Sequence, residues 1–184
     1  MKKILFLFGF VSCICTAFSQ KNYADSLRKV LANTVKPIDR FTIIVKINEN
    51  RLVLEGGAID SATPIQLLQI AQQLKNDSLL AISYNWVGSY LAFEKGDNTA
   101  ALEYYFKALP LAENVQDKRR VSSLYFDIAL IYFTLQNNED AFKNALRGGE
   151  NLPDQSSPMY NFMMVQYQRN MARYYLLTNH YDSA

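Results

Sequence analysis

The stretch "SSLYFDIALIYFTLQNNEDAFKNALRGGENLP", Ser122 to Pro153, decides how the rest of the chain is read. Leu124, Ile128, Ile131 and Leu135 recur at helical spacing, as do Tyr125, Ala129 and Tyr132. The polar run "QNNED", Gln136 to Asp140, interrupts the pattern. Ala141, Ala145 and Gly148 then set small residues along one side of a second helix. Pro153 falls just past its last turn, where no helix continues. Two antiparallel helices approach closely only where alanine or glycine sits at their crossing. The stretch therefore predicts a helical hairpin.

The same plan occurs elsewhere. "AISYNWVGSYLAFEKGDNTAALEYYFKAL", Ala81 to Leu109, has an aromatic-rich helix and a turn at Gly96-Asp97. Ala101, Tyr105 and Ala108 follow at helical spacing. This copy carries one extra residue between Gly88 and its turn. "MMVQYQRNMARYYLLTNHYDSA", from Met163, repeats the first half, with Met171, Ala172 and Tyr175 in the places of Ile128, Ala129 and Tyr132. Taking the second-helix alanine as marker, copies fall at Ala62, Ala101, Ala141 and Ala184, at intervals of 39, 40 and 43 residues. A single hairpin cannot bury its own apolar face and must stack on neighbours.

These residues resemble the tetratricopeptide repeat, whose pattern runs Leu-Gly-x-x-Tyr, Gly, Ala-x-x-x-Phe-x-x-Ala, Pro. Ile128, Ala129, Tyr132, Ala141, Ala145, Gly148 and Pro153 match best, then Val87, Gly88, Gly96, Ala101, Tyr105 and Ala108. The period departs from the usual 34 residues. Gln136 and Asn179 stand where the pattern has the turn glycine. The resemblance implies an all-α fold, an αα-solenoid with a degenerate copy over about 43–80. Copies at 81–121 and 122–164 and a truncated one at 165–184 follow. Residues 20–42 are read as a helical lead-in, with Asp25 or Ser26 capping its helix. "RFTIIVKI", Arg40 to Ile47, is rich in β-branched residues and read alone would be a strand. Repeat spacing argues instead for a degenerate first helix ended by Gly56-Gly57.

The first residues are of another kind. "MKKILFLFGFVSCICTAFSQ" joins two lysines, an apolar run from Ile4 to Ala17 and the small-x-small site Ala17-Phe18-Ser19. Residues 1–19 thus predict a secretory signal peptide, too short to favour a membrane span. Phe10-Val11-Ser12-Cys13 loosely resembles a lipidation motif, which would make Cys13 a lipid anchor. The chain has 19 Lys+Arg against 17 Asp+Glu, and losing Lys2 and Lys3 balances them. A neutral mature chain lacks the basic footprint of nucleic-acid binding. Both cysteines, Cys13 and Cys15, leave with the signal, which removes disulfide and thiolate chemistry.

No catalytic set emerges from the sequence. His180 in "TNHYD" has no second histidine to join it and reads as a turn residue. Glu94, Asp97, Glu139 and Asp140 read as solvated or helix-end carboxylates. "QDKRRV", Gln116 to Val121, reads as a solvated turn between repeats. We therefore expect no enzyme, no cofactor and no metal, but binding. In the family resembled, first helices of successive repeats line a concave groove for a peptide or protein partner. Carried over copy by copy, the lining is Asn85 and Ser89, then Phe126 and Leu130, then Arg169 and Arg173. Each pair is four residues apart and shares a helix face. The two arginines are placed to meet a partner carboxylate.

A signal peptide before such repeats resembles the extracytoplasmic input half of bacterial sensor histidine kinases and regulators. The expected function is protein–protein interaction or ligand sensing on the periplasmic, extracytoplasmic side. The sequence is read as the N-terminal fragment of such a protein, because the helix over 164–177 would otherwise leave its apolar face uncovered. Membrane contact would then come through a following span or, in the alternative, a lipid anchor. The other alternative is a free-standing periplasmic scaffold in an envelope complex.

Overall fold

The computed structural model describes residue 23 and residues 25–55 and 58–178, with side chains omitted at 50–55. The segment 1–19, Cys13, Gly56-Gly57, Asn179, His180 and Ala184 lie outside the described residues. Among the described residues the fold is all-helical, without a strand. Residues 25–33 form α1, followed by α2 (Pro37–Glu55) and α3 (Ala62–Leu74). The remaining helices are α4 (Asp77–Tyr90), α5 (Asn98–Asn114), α6 (Lys118–Thr134), α7 (Asn138–Glu150) and α8 (Tyr160–Leu177). The chain divides into two compact units between Leu74 and Lys75.

In the first unit, "RFTIIVKI" is helical, lying inside α2. Phe41, Ile44, Ile47 and Asn48 are buried at three- and four-residue spacing, while Ile43 and Val45 are only half-buried. Packing on one helical stripe outweighs the β propensity of single residues. Opposite them α3 buries Thr63, Pro64, Leu67 and Ala71. The small-residue marker is displaced here: Ala62 is half-buried at the first position of α3, and Thr63 takes the buried slot. Threonine is tolerated because its hydroxyl donates to Asn48 Oδ1 at 3.1 Å, and Asn48 Nδ2 donates to the Ile44 carbonyl at 2.9 Å. Arg40 donates to the carbonyls of Leu31 and Thr34 at 3.2 and 3.0 Å, closing the end of α1.

In the second unit, α4 to α7 are each entered through a recurring two-residue device. Lys75, Gly96, Gln116 and Gln136 are left-handed, with φ of 46°, 67°, 57° and 59°. Each is followed by a side chain that caps the next helix: Asn76 accepts from Leu79 N, Asp97 from Ala100 N, Asp117 from Arg120 N and Asn137 from Asp140 N. The capping residues stand 21, 20 and 20 residues apart. The same residue also closes the helix behind it. Asp117 N–H donates to the Ala112 carbonyl at 3.0 Å, and Asn137 N–H to that of Tyr132 at 2.9 Å. At Gly96 the bond reaches one residue further, from Asp97 N–H to the Leu91 carbonyl at 2.9 Å. Leu91–Lys95 is a π-helical turn. The extra residue noted after Gly88 is accommodated there, as π-bulges accommodate insertions.

Left-handed backbone costs a non-glycine residue about 1–2 kcal/mol. Gln136→Gly removes that strain, partly offset by the looser unfolded chain. We expect a gain of about 0.5–1 kcal/mol and a melting temperature higher by about 1–4 °C. A lower melting temperature would show that Gln136 supplies more than its backbone.

Small residues sit where helices meet. Ala101, Ala108 and Ala112 of α5 and Ala141 and Ala145 of α7 are fully buried. Around the α5–α6 contact, Tyr105, Leu124 and Ile128 join the three α5 alanines in one core with Val121 and Ile131. Gly88 lies under the Tyr105 ring, where an added Cβ would come within 2.6 Å of ring carbon. Gly148 lies likewise under Phe126, at 2.4 Å, and Gly149 under Tyr167, at 2.6 Å. Helix α6 packs on α5 and α7 and also meets α8, the contact that shapes the candidate site.

Candidate functional site

The site begins on α6, where "LYFDIALI" carries one carboxylate inside an apolar run. Phe126, Asp127 and Leu130 stand on one side of this helix. From α8, Gln166, Arg169, Asn170 and Arg173 face them across a cleft of about 100 Å³. Four-residue spacing on both helices aligns Phe126 with Leu130 and Arg169 with Arg173. Phe126 is buried, its ring packed in the space that Gly148 leaves without a side chain. Its ring stands 6.4 Å from that of Tyr167. Arg173 places its guanidinium 5.7 Å over the Phe133 ring, a contact that orients it without neutralising it. Arg169 is exposed and makes no ion pair among the described residues.

Asp127 is the unusual member. It accepts a hydrogen bond from Asn85 Nδ2 of α4 at 3.2 Å. Burial pushes its carboxyl up to about 6, against the lowering effects of the Asn85 hydrogen bond and the Arg120 charge. A raised carboxyl favours the fold fully only below its unfolded value near 3.8 and loses that contribution as pH rises through about 6. At neutral pH the ionised Asp127 therefore weakens the fold, and a stabilising replacement is easily imagined. Titratable groups held at a cost in a cleft mark functional positions more often than chance.

The six residues expected from the repeat register fall into two sets. Phe126, Leu130, Arg169 and Arg173 bound one cleft. Asn85 joins it indirectly, through Asp127. Ser89 turns to the Tyr105 hydroxyl instead, at 3.3 Å, next to the core. Sequence reasoning misses Asp127, Gln166 and Asn170. For Asp127 a signal exists, a lone acid between Phe126 and Ile128, but repeat register marks only every fourth residue. Asn170 is buried and donates to the Gln166 carbonyl at 2.9 Å, a local bond that spacing alone does not reveal.

The basic cluster around Lys118 starts α6: Arg120 pairs with the capping Asp117 at 3.5 Å, and Lys118 and Arg119 are exposed. Among the described residues no group of three or more His, Cys, Asp or Glu is arranged to hold a metal ion. None of their helices is long and apolar enough to cross a membrane. No family model matches this chain, and no curated protein or solved structure matches it either.

Proposed function

We propose that the chain is a non-enzymatic binding module, exported across the cytoplasmic membrane, that serves as the sensory-input or partner-docking part of a signalling protein. In this reading its helices form an αα-solenoid of tetratricopeptide-like hairpins, and the cleft between α6 and α8 is the centre of the groove. The supporting observation is the convergence of Phe126, Leu130, Arg169 and Arg173, all selected by repeat register, on one cleft. The near-20-residue spacing of the capping junctions and the buried alanines of α5 and α7 support the hairpin array. The apolar ring of Phe126 beside two exposed guanidinium groups suits a partner with a carboxylate and an apolar group close together.

Site-specific photo-cross-linking tests this. A photoreactive phenylalanine at Leu130 should yield a discrete cross-linked species in cells making the whole protein. The same probe at Phe106, exposed on α5 outside the cleft, should yield none. Changing Arg169 and Arg173 together to alanine should abolish the Leu130 product. Equal cross-linking at both positions, or indifference to the arginines, would remove the groove.

A further inference from the structure

The cleft combines opposite charges in a small volume. Asp127 lies on its α6 side; Arg169 and Arg173 lie on its α8 side. A partner bringing only a carboxylate would meet the arginines but also the anionic Asp127. A partner bringing only an ammonium would satisfy Asp127 and be repelled by two guanidinium groups. A ligand carrying both charges on adjacent atoms matches both walls. We propose that the cleft binds a free α-amino acid in its zwitterionic form, the ammonium on Asp127 and the carboxylate on Arg169 and Arg173. The proposal rests on the reading of this cleft as the binding groove and names its ligand class.

Three observations carry it. The cleft, about 100 Å³, is roomy enough for a small polar molecule such as glycine, alanine or serine. Asp127 accepts one hydrogen bond among the described residues, from Asn85, whereas a carboxylate has about four acceptor sites. An ammonium with three donors fills that capacity and relieves a charge held in a poorly solvated place. Phe126 and Leu130 offer an apolar wall for a small aliphatic side chain, while Gln166 and Asn170 edge the polar one. An internal peptide residue bears neither charge and leaves both walls unsatisfied.

The pH dependence follows from what faces Asp127. Asn85 of α4 bonds to it, Tyr105 of α5 and Arg120 of α6 act on it through their charge or hydroxyl, and the two arginines of α8 line the same cleft. Burial pushes the Tyr105 hydroxyl well above its ordinary range. With the Asp127 carboxyl pushed up to about 6 by burial, affinity should fall as pH drops through that value.

Isothermal titration of the whole chain with L-alanine tests the proposal. The expected result is binding with a Kd below about 1 mM at pH 7.5 or so. N-acetyl-L-alanine and L-alaninamide, each lacking one charge, should bind at least about tenfold more weakly. These arms need no variant and so no question of folding. Asp127→Asn should then lose at least about tenfold in affinity while keeping the helical circular dichroism spectrum. No heat at about 10 mM L-alanine, or N-acetyl-L-alanine binding as tightly as L-alanine, would overturn the proposal. An arginine-dependent cross-link at Leu130 that survives about 10 mM L-alanine would also overturn it, while leaving the groove as the site of a protein partner.

Discussion

Tyr105→Ala should lower the stability of the chain by about 3–5 kcal/mol, the largest effect expected of any single substitution described. The side chain has no exposed surface and stands against Gly88, which carries nothing that could swing into the space left behind. Its neighbours in the core, Ala101 and Ala108, are equally short. Truncation therefore leaves a cavity rather than a collapse, and residual cavity volume is what makes such changes expensive. Tyr105→Phe is the control. It keeps the ring and removes only the hydroxyl that meets Ser89 at 3.3 Å, so a loss of about 1 kcal/mol is expected. Chemical denaturation of both variants checks the pair. If Tyr105→Ala unfolds at the same denaturant concentration as the parent, the ring is not in the core.

Gly148→Ala tests the close approach at the other hairpin, and there the sign is the point. Glycine inside a helix is less favourable than alanine by about 1 kcal/mol, so propensity alone predicts a gain. The new methyl would lie 2.4 Å from a ring carbon of Phe126, a buried ring that would have to shift to admit it. Ser122 holds the spot from the other side, donating to the Gly148 carbonyl at 2.7 Å. Overpacking of this kind costs about 1–3 kcal/mol on top of the propensity term. We expect a net loss of about 1–2 kcal/mol, seen as a lower melting temperature. Combining it with Phe126→Leu should cost less than the two changes summed, because the shorter side chain makes room. A stabilised Gly148→Ala would mean that α6 and α7 do not approach as described.

Much of this is legible in the residues, because small side chains recurring at helical spacing mark a close crossing of two rods and little else. Ala101, Tyr105, Ala108, Ala141, Ala145 and Gly148 are all marked by period alone, and all are buried. Gln136, standing where the repeat pattern has a turn glycine, is left-handed, so the backbone requirement outlasts the residue that usually meets it. The first hairpin is harder. In "RFTIIVKI" an alternating reading and a three-to-four reading both gather apolar residues, and only the contact with α3 decides between them. Thr63 in place of Ala62 is hidden for another reason: its hydroxyl partner, Asn48, is fifteen positions away. Asp127 escapes notice because its importance depends on Asn85, forty-two positions earlier, and on what α8 brings opposite it. Periodicity finds what repeats, whereas a site is made by what does not.

The wide turn over Leu91–Lys95 has a consequence for how such a chain can change length. One added residue in a regular helix would swing everything after it through about 100° and present the wrong flank to its neighbour. Here the surplus is swallowed before Gly96, and Asp97 still arrives at the azimuth from which it can start the following rod. Growth in sequence and rotation in space are thereby uncoupled, so an insertion at that spot leaves the meshing downstream in phase.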